Sequence, residues 1–150
     1  MIKVLFICHG NICRSPMAEF VMKDIVEKEG IQDLFHIESA ATSTEEIGNG
    51  IYPPARKMLL RHGIFCSGKR ARQVTKNDLD TYDYLVLMDR NNMSNMIRMF
   101  GAENMNKVSM LLDRDVADPW YTGNFDKTMQ DVQVGCTKLL NQILETNCIK

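Results

Sequence analysis

The distribution of apolar and polar positions along the chain predicts an alternation of strands and helices. A nearly continuous apolar run at 2–7, interrupted only by Lys3, is typical of a strand that is buried on both faces of a parallel sheet. Three further strands are predicted from apolar runs or apolar–polar alternation, at 35–41, 82–88 and 107–112.

Helical periodicity and residues typical of helix ends predict helices in the segments between these strands. The first helix is predicted to have Ser15 as its N-cap and Pro16 as its first residue, and to end at Gly30. Four more helices are predicted: from Pro53-Pro54 to Gly63, after the capping-box pair Thr75 and Asp78, at 91–99, and through 129–144. The remaining segments are predicted to be loops, at 42–52, 64–74 and 113–125.

Strands that alternate with helices predict an α/β fold in which helices cover both faces of one parallel sheet. The length of 150 residues fits one domain, which we expect to span 1–150. Ligands of such sheets bind at the carboxyl ends of the strands, near a reversal in strand order. The end of the first strand, at Cys8, is therefore the expected position of a site.

Composition and charge exclude several kinds of partner. A formal net charge of −1 provides no bulk attraction for nucleic acid or for an anionic membrane. No apolar run approaches the roughly 20 residues that span a bilayer, so no membrane anchor is expected. The apolar N-terminus lacks a small-residue cleavage site, which favours a cytoplasmic location.

The cysteine and histidine counts argue against a disulfide scaffold or a structural zinc site. Five cysteines are an odd number, none of them forms a CxxC pair, and there are only three histidines. We therefore expect free thiols, a reducing compartment, and neither a metal nor a cofactor.

The segment from Cys8 to Pro16 carries the candidate chemistry. A loop between a strand and a helix N-terminus directs backbone amides and the positive end of the helix dipole at one point, where an anion can bind. Cys8 begins this loop in a setting that favours the reactive thiolate, and Arg14 offers a planar fork for two phosphate oxygens. Taken alone, a cysteine such as Cys8 is more often a buried strand-end residue, and an arginine such as Arg14 is more often a surface charge. Together they favour nucleophilic displacement at phosphorus.

The pattern Cys8-x5-Arg14-Ser15, filled as CHGNICRSP, resembles the signature of the low-molecular-weight protein tyrosine phosphatases. The resemblance continues in family order along essentially the whole chain, through 39–43, 46–49, 61–64, 71–75, 83–89 and 118–121. It implies a single-domain, flavodoxin-like or Rossmann-like phosphotyrosine phosphatase I fold, with four parallel strands in the order 2-1-3-4.

The resemblance also implies catalytic roles in a route through a phosphocysteine. Cys8 is the nucleophile, Arg14 stabilises the transferring phosphoryl group, and Asp118 protonates the leaving phenolate and then activates water. From the sequence alone, Asp113 and Asp115 are rivals for the role of acid.

The rest of the loop and its supports follow from the same resemblance. The phosphate-binding loop comprises His9, Gly10, Asn11, Ile12, Cys13 and Ser15, and Ser15 is expected to hydrogen-bond the Cys8 sulfur. Asn11, Ser39 and His62 resemble the polar network that holds the family's loop open, with Asn11 in a left-handed conformation. Alternatively, His62 is a histidine at a helix C-terminus and Ser39 a strand-end hydroxyl. Cys13 is either a partner for a reversible disulfide with Cys8 or a small buried residue.

Three side chains are expected to wall the substrate cleft. Trp120 and Tyr121 follow the acid, and at least one of these two neighbouring aromatics should be exposed. Glu45 stands where many family members have an aromatic residue, which weakens ring stacking and disfavours acidic peptides. His9 adds a titratable group at the rim.

The expected substrates are tyrosine-phosphorylated proteins, and the expected state is a monomer, with a weak dimer as the alternative. Protein-arginine phosphatases of the family carry threonine at the position of Ile12, so isoleucine favours phosphotyrosine over phosphoarginine. Related arsenate reductases need two further cysteines close together, a spacing that Cys66, Cys136 and Cys148 do not have. A non-catalytic phosphate-binding module is the other alternative. Such a module need not keep Cys8, Ser15 and Asp118 together, so their joint presence argues against it.

Overall fold

The structure, a computed structural model, describes residues 1–149. Its strands are β1 (Ile2–Cys8), β2 (Phe35–Ala41), β3 (Tyr84–Leu87) and β4 (Val108–Met110). Its α-helices are α1 (Arg14–Lys28), α2 (Pro53–Arg61), α3 (Lys76–Thr81), α4 (Arg90–Phe100), α5 (Pro119–Thr122) and α6 (Phe125–Thr146). Two short 3-10 turns occupy Gln32–Leu34 and Ala102–Asn104.

The four strands form one parallel sheet in the order β2-β1-β3-β4, which confirms the predicted fold class. The chain leaves β1 towards β2 and then crosses to β3 on the other side of β1. This reversal makes the carboxyl end of β1 the topological switch point, where open α/β sheets bind their ligands. Cys8 is the last residue of β1.

Alternating residues of β1 belong to two separate hydrophobic cores, because successive side chains of a strand point to opposite faces of the sheet. Val4 and Phe6 pack with α1, α2 and α6 on one face of the sheet. Leu5 and Ile7 pack with residues of α3 and α4 on the other face. All four are fully buried, as the apolar run predicts.

The structure differs from the predicted elements mainly at their ends. The first helix begins at Arg14 rather than Pro16, since the Ser15 hydroxyl contacts the Cys8 sulfur instead of capping the helix. The predicted third and fourth strands are shortened. The predicted 113–125 loop contains the short helix α5, whose first turn is stabilised by Asp118 accepting a hydrogen bond from the Trp120 amide at 3.0 Å.

Within residues 1–149, no helix combines the length and the hydropathy that a membrane crossing requires.

Gly135 allows the long helix α6 to approach the end of β4 closely. A β-carbon built on Gly135 would lie 2.7 Å from Leu111 Cδ1, which is too close for a normal contact. We expect Gly135→Val to lower the free energy of unfolding by about 2 kcal/mol, because the core must be overpacked. Urea denaturation measures this loss.

The exposed position Lys138 on the same helix provides the control for that measurement. Lys138→Val introduces the same β-branched side chain into a helix without a core contact, and should cost only a few tenths of a kcal/mol. Equal losses in the two variants would contradict the close packing of α6 against Leu111.

Candidate active site

The Cys8 sulfur lies at the carboxyl end of the sheet with two polar contacts. It accepts a hydrogen bond from the Asn11 backbone N–H at 3.3 Å and lies 3.0 Å from the Ser15 hydroxyl oxygen. The contact with Ser15 is the one expected from the sequence. Both donors would stabilise negative charge on the sulfur, and the N-terminus of α1 adds the positive end of its dipole.

Asn11 holds the loop in its turned conformation. Its φ angle of 60° is in the left-handed region, as expected, and asparagine tolerates that region better than most residues. The side-chain amide donates to the Ser15 and Ser39 hydroxyls at 2.8 and 2.9 Å, and its oxygen accepts from the Arg72 backbone N–H at 3.2 Å. The strained backbone is therefore secured by three hydrogen bonds.

Arg14 extends from the first turn of α1 into the interior, and only 2% of its surface is exposed. One terminal nitrogen, Nη1, donates to Asp89 at 2.6 Å and to the Val116 carbonyl at 2.9 Å. The other, Nη2, lies 3.4 Å from an Asp118 carboxylate oxygen. The buried Nε has no hydrogen-bond partner within residues 1–149. An unpartnered buried donor is costly, and an anion in the loop would satisfy it.

The charges around the loop determine the protonation of its members. Burial disfavours the charged form of Arg14, but the Cys8 sulfur, Asp89 and Asp118 outweigh burial and raise the pKa of the guanidinium. Burial, and to a lesser extent Cys8, raises the pKa of Cys13 to about 12. Cys13 is therefore a neutral thiol beside the candidate nucleophile at physiological pH.

A cleft of about 120 Å³ opens above the loop. It brings together the three predicted catalytic residues, most of the predicted loop and the predicted wall: Cys8, His9, Gly10, Ile12, Cys13, Arg14, Glu45, Glu46, Asp118, Trp120 and Tyr121. The two rival aspartates, Asp113 and Asp115, do not line it. Asp115 instead accepts a hydrogen bond from the Arg90 backbone at 3.0 Å.

The rim of the cleft consists of exposed side chains. His9 Nε2 lies 3.1 Å from a carboxylate oxygen of Glu45. Trp120 packs against Tyr52 with ring centroids 4.8 Å apart. Trp120 and Tyr121 are 51% and 82% exposed, so both aromatics, and not one alone, are available to a substrate.

The prediction that His62 joins the loop network is wrong. His62 is exposed at the C-terminal end of α2, where its Nδ1 lies 3.4 Å from the Gln133 side-chain nitrogen. Its position fits the alternative, a histidine at the carbonyl end of a helix. Ser39, by contrast, belongs to the network, since its hydroxyl accepts from Asn11 and donates to Glu19 at 2.6 Å.

Lys69 and Glu19 complete the network in which His62 was expected. The Lys69 ammonium donates to the Ser39 carbonyl at 2.7 Å and lies 3.6 Å from the Glu19 carboxylate. Burial lowers the pKa of Lys69, and the neighbouring Glu19 opposes this shift. A continuous chain of polar contacts thus runs from this ion pair through Ser39, Asn11 and Ser15 to the sulfur.

Sequence reasoning missed three residues of the site: Asp89, Glu19 and Lys69. Asp89 could have been found, because it lies two residues after the end of β3, at the edge of the sheet where Cys8 ends β1. Glu19 lies on the buried face of α1, and Lys69 lies in a basic segment without periodicity. Only the tertiary structure brings these two together.

The fold and the site together define a class of protein: α/β enzymes in which a cysteine and an arginine bracket an anion-binding loop. The sequence profile described as "Low molecular weight phosphotyrosine protein phosphatase" matches residues 3–148. This chain belongs to the low molecular weight phosphotyrosine protein phosphatase family.

Individual relatives agree with this assignment. Low molecular weight protein-tyrosine-phosphatase YfkJ of Bacillus subtilis is 41% identical over 95% of this chain and 96% of its own length. The crystal structure of YfkJ has a TM-score of 0.95, with 97% and 96% of the two chains covered and 40% identity. The low molecular weight protein tyrosine phosphatase SP-PTP of Streptococcus pyogenes has a TM-score of 0.89, with 95% and 93% covered and 42% identity. A Drosophila arginine phosphatase has a TM-score of 0.84, with 95% and 98% covered and 26% identity.

The ion pair beneath the loop provides a test of the network. Lys69→Met removes the donor to the Ser39 carbonyl and one of two cations beside the buried Glu19 carboxylate. We expect a loss of about 2 kcal/mol in the free energy of unfolding, because buried acceptors lose their partner. Urea denaturation measures this loss.

Lys23 provides a matched control, since it pairs with the same carboxylate at 2.6 Å but is half-exposed. Lys23→Met should cost less, about 0.5 kcal/mol, because water can replace the half-exposed ammonium while Lys69 still pairs with the buried carboxylate. A loss for Lys69→Met no larger than this would contradict a structural role for the buried lysine.

Proposed function

We propose that this chain is a protein tyrosine phosphatase that hydrolyses phosphotyrosine through a phosphocysteine intermediate, within a single domain spanning 1–150. One observation carries the proposal: Cys8, Arg14 and Asp118 converge on one cleft at the switch point of the sheet. The unpartnered Nε of the buried guanidinium adds support, because a phosphate oxygen is a suitable acceptor.

In the first step, the Cys8 sulfur attacks phosphorus, so that a sulfur–phosphorus bond forms and the bond to the phenolic oxygen breaks. Arg14 donates from Nε and its second terminal nitrogen to the equatorial oxygens, while Asp89 and the Val116 carbonyl hold the remaining terminal nitrogen. The Asp118 carboxyl gives its proton to the departing phenolate. The leaving group is then a neutral phenol.

In the second step, the Asp118 carboxylate takes a proton from water and the water oxygen attacks phosphorus. The sulfur–phosphorus bond breaks, and Cys8 leaves as a thiolate. The Ser15 hydroxyl, 3.0 Å from the sulfur, and the Asn11 amide stabilise this leaving group. The same two contacts therefore assist both attack and departure.

Aryl phosphates are favoured as substrates by the walls of the cleft. Trp120 and Tyr121 are exposed aromatic side chains beside the acid, and Ile12 adds an apolar side chain to the lining. YfkJ and SP-PTP are both named as tyrosine phosphatases and are about 40% identical to this chain. The structural neighbour named as an arginine phosphatase is 26% identical. Phosphoarginine is therefore the second candidate substrate.

The partners are phosphorylated proteins, as the family assignment implies. We propose that they carry phosphotyrosine and that the enzyme acts as a monomer in the cytoplasm. Support for a reducing compartment comes from the cysteines, all five of which are free thiols.

The choice between the two phosphoamino acids can be measured directly. We expect kcat/KM for phosphotyrosine to exceed that for phosphoarginine at least tenfold, because the Ile12 side chain offers no hydrogen bond to a guanidine. Cys8→Ser should lower kcat/KM for both substrates by at least about a thousandfold, since an alcohol is a far weaker nucleophile than a thiolate.

Cys148→Ser is the matched control, because Cys148 is exposed and lies after α6. It should retain full activity. Residual hydrolysis by Cys8→Ser at the level of Cys148→Ser would exclude the thiolate mechanism, and faster turnover of phosphoarginine would reverse the assigned substrate.

The role of Asp118 can be tested through the leaving group. Asp118→Ala should slow release of a poor leaving group such as phenol by about a hundredfold or more, but should slow release of para-nitrophenol far less. A phenolate of low pKa needs little protonation, which is the reason for the difference. The slope of log kcat/KM against leaving-group pKa measures it, because kcat/KM reports the step in which the leaving group departs.

Asp113→Ala provides the control, since Asp113 is an exposed rival that does not line the cleft. Its slope should equal that of the unaltered enzyme. If Asp118→Ala reduced kcat/KM for all esters by the same factor, another group would be the acid.

A further inference from the structure

A connecting cleft of about 310 Å³ adjoins the catalytic cleft across the Trp120 ring. The two clefts share Ile12, Glu46 and Trp120. The walls of the connecting cleft are largely apolar, since Ile51, Tyr52 and Pro53 contribute to them. A chain segment leaving the catalytic cleft on this side would meet apolar surface.

A larger cleft of about 510 Å³ continues from the connecting cleft, with which it shares Gly50 and Ile51. We call it the distal groove, and its main side chains are Ile51, Arg56, Phe65, Lys69 and Arg70. Phe65 is 80% exposed, which is unusual for a phenylalanine side chain. The three clefts form one continuous path along the surface.

The distal groove is cationic and has no compensating acid. No aspartate or glutamate lines it, and Arg56 and Arg70 are both exposed. Within residues 1–149, neither arginine has a carboxylate partner within 4.0 Å, whereas Lys69 is already engaged by Ser39 and Glu19. Arg70 donates to the Gly48 carbonyl at 3.0 Å, but neither guanidinium charge is balanced by a carboxylate, so both favour an anionic ligand.

The opposite side of the catalytic cleft has a different character. The cleft there contains the two carboxylates Asp89 and Asp118 together with Arg14 and Arg98, so its charges balance. Such a surface gives acidic side chains no net attraction, unlike the distal groove. Glu45 and Glu46 at the rim disfavour acid next to the phosphotyrosine itself.

We propose that the distal groove binds acidic side chains in the flank of a phosphotyrosine substrate, with an apolar residue of the same flank in the connecting cleft. This inference rests on the proposed function, since it takes the phosphotyrosine to lie over Cys8. The occupant is thus an apolar-then-acidic stretch of a phosphoprotein.

The helix geometry gives the spacing. The Arg56 amide donates to the Tyr52 carbonyl, so Arg56 lies one turn, about 6 Å, along α2 from the ring that packs on Trp120. An extended peptide advances about 3.3 Å per residue. We place the acidic residues about three to five positions from the phosphotyrosine, which allows about two residues for this helical turn and about one to three for the Trp120 ring and the arginine side chain.

The experiment compares phosphotyrosine peptides of equal length. Each has leucine two positions from the phosphotyrosine and either two glutamates or two glutamines at positions four and five, in separate series for the N-terminal and C-terminal flank. We expect kcat/KM to favour the glutamate peptide about fivefold in one of the two series, mainly through KM. The preference should fall as salt is raised.

Arg56→Glu should remove or reverse that preference. Lys57→Glu is the matched control, because Lys57 is exposed on the same helix, carries the same charge change and does not line the distal groove. It should keep the preference. No preference in either series, or equal losses in Arg56→Glu and Lys57→Glu, would overturn the proposal.

Hydrolysis of para-nitrophenyl phosphate by the unaltered enzyme separates the two hypotheses. If that small ester is not hydrolysed, the proposed function has failed. If it is hydrolysed while glutamate and glutamine peptides are turned over equally, only the distal groove proposal has failed.

Discussion

Burial of the Arg14 charge is the constraint on which the site depends. A guanidinium in the interior needs partners, since an uncompensated buried charge costs several kcal/mol. Its partners come from Asp89 after β3, from the Val116 carbonyl after β4 and from Asp118 at the start of α5. The Val116 amide is in turn bound to the Met88 carbonyl at 2.8 Å. One side chain from the first turn of α1 thus fixes the segments that follow β3 and β4, including the segment that carries the acid.

A second set of contacts fixes the loop from the other side. Asn11 has an unfavourable left-handed backbone conformation. Hydrogen bonds from its side chain to Ser15, Ser39 and the Arg72 backbone stabilise that conformation. Ser39 is in turn held by Glu19 and, through its carbonyl, by Lys69. The donors around the sulfur are therefore in place before a substrate binds, which is the condition under which they lower a barrier most effectively.

Local signals were sufficient to predict the alternating strands and helices and a site at Cys8, because an apolar run, a loop and a helix start are contiguous in the chain. The strand order and the roles of the site residues, including Asn11, came from the resemblance to the family. His62 was assigned wrongly through the same resemblance, since its side chain lies at the end of α2 beside Gln133 of α6. Glu19 and Lys69 are separated by 50 positions, and no periodicity in the segment of Lys69 indicates that its side chain is buried.

The structure separates a fixed catalytic centre from an adjustable rim. Arg14, Asn11 and Ser39 are buried and each makes several hydrogen bonds, so a change in any of them leaves buried polar atoms without partners. His9, Glu45 and Tyr121 are exposed or nearly so, and the contact between the first two is of the kind that contributes little to stability. The rim can therefore vary without unfolding the protein or disturbing the phosphate site. Within one family, this division allows substrate choice to change while the chemistry at the Cys8 sulfur stays the same.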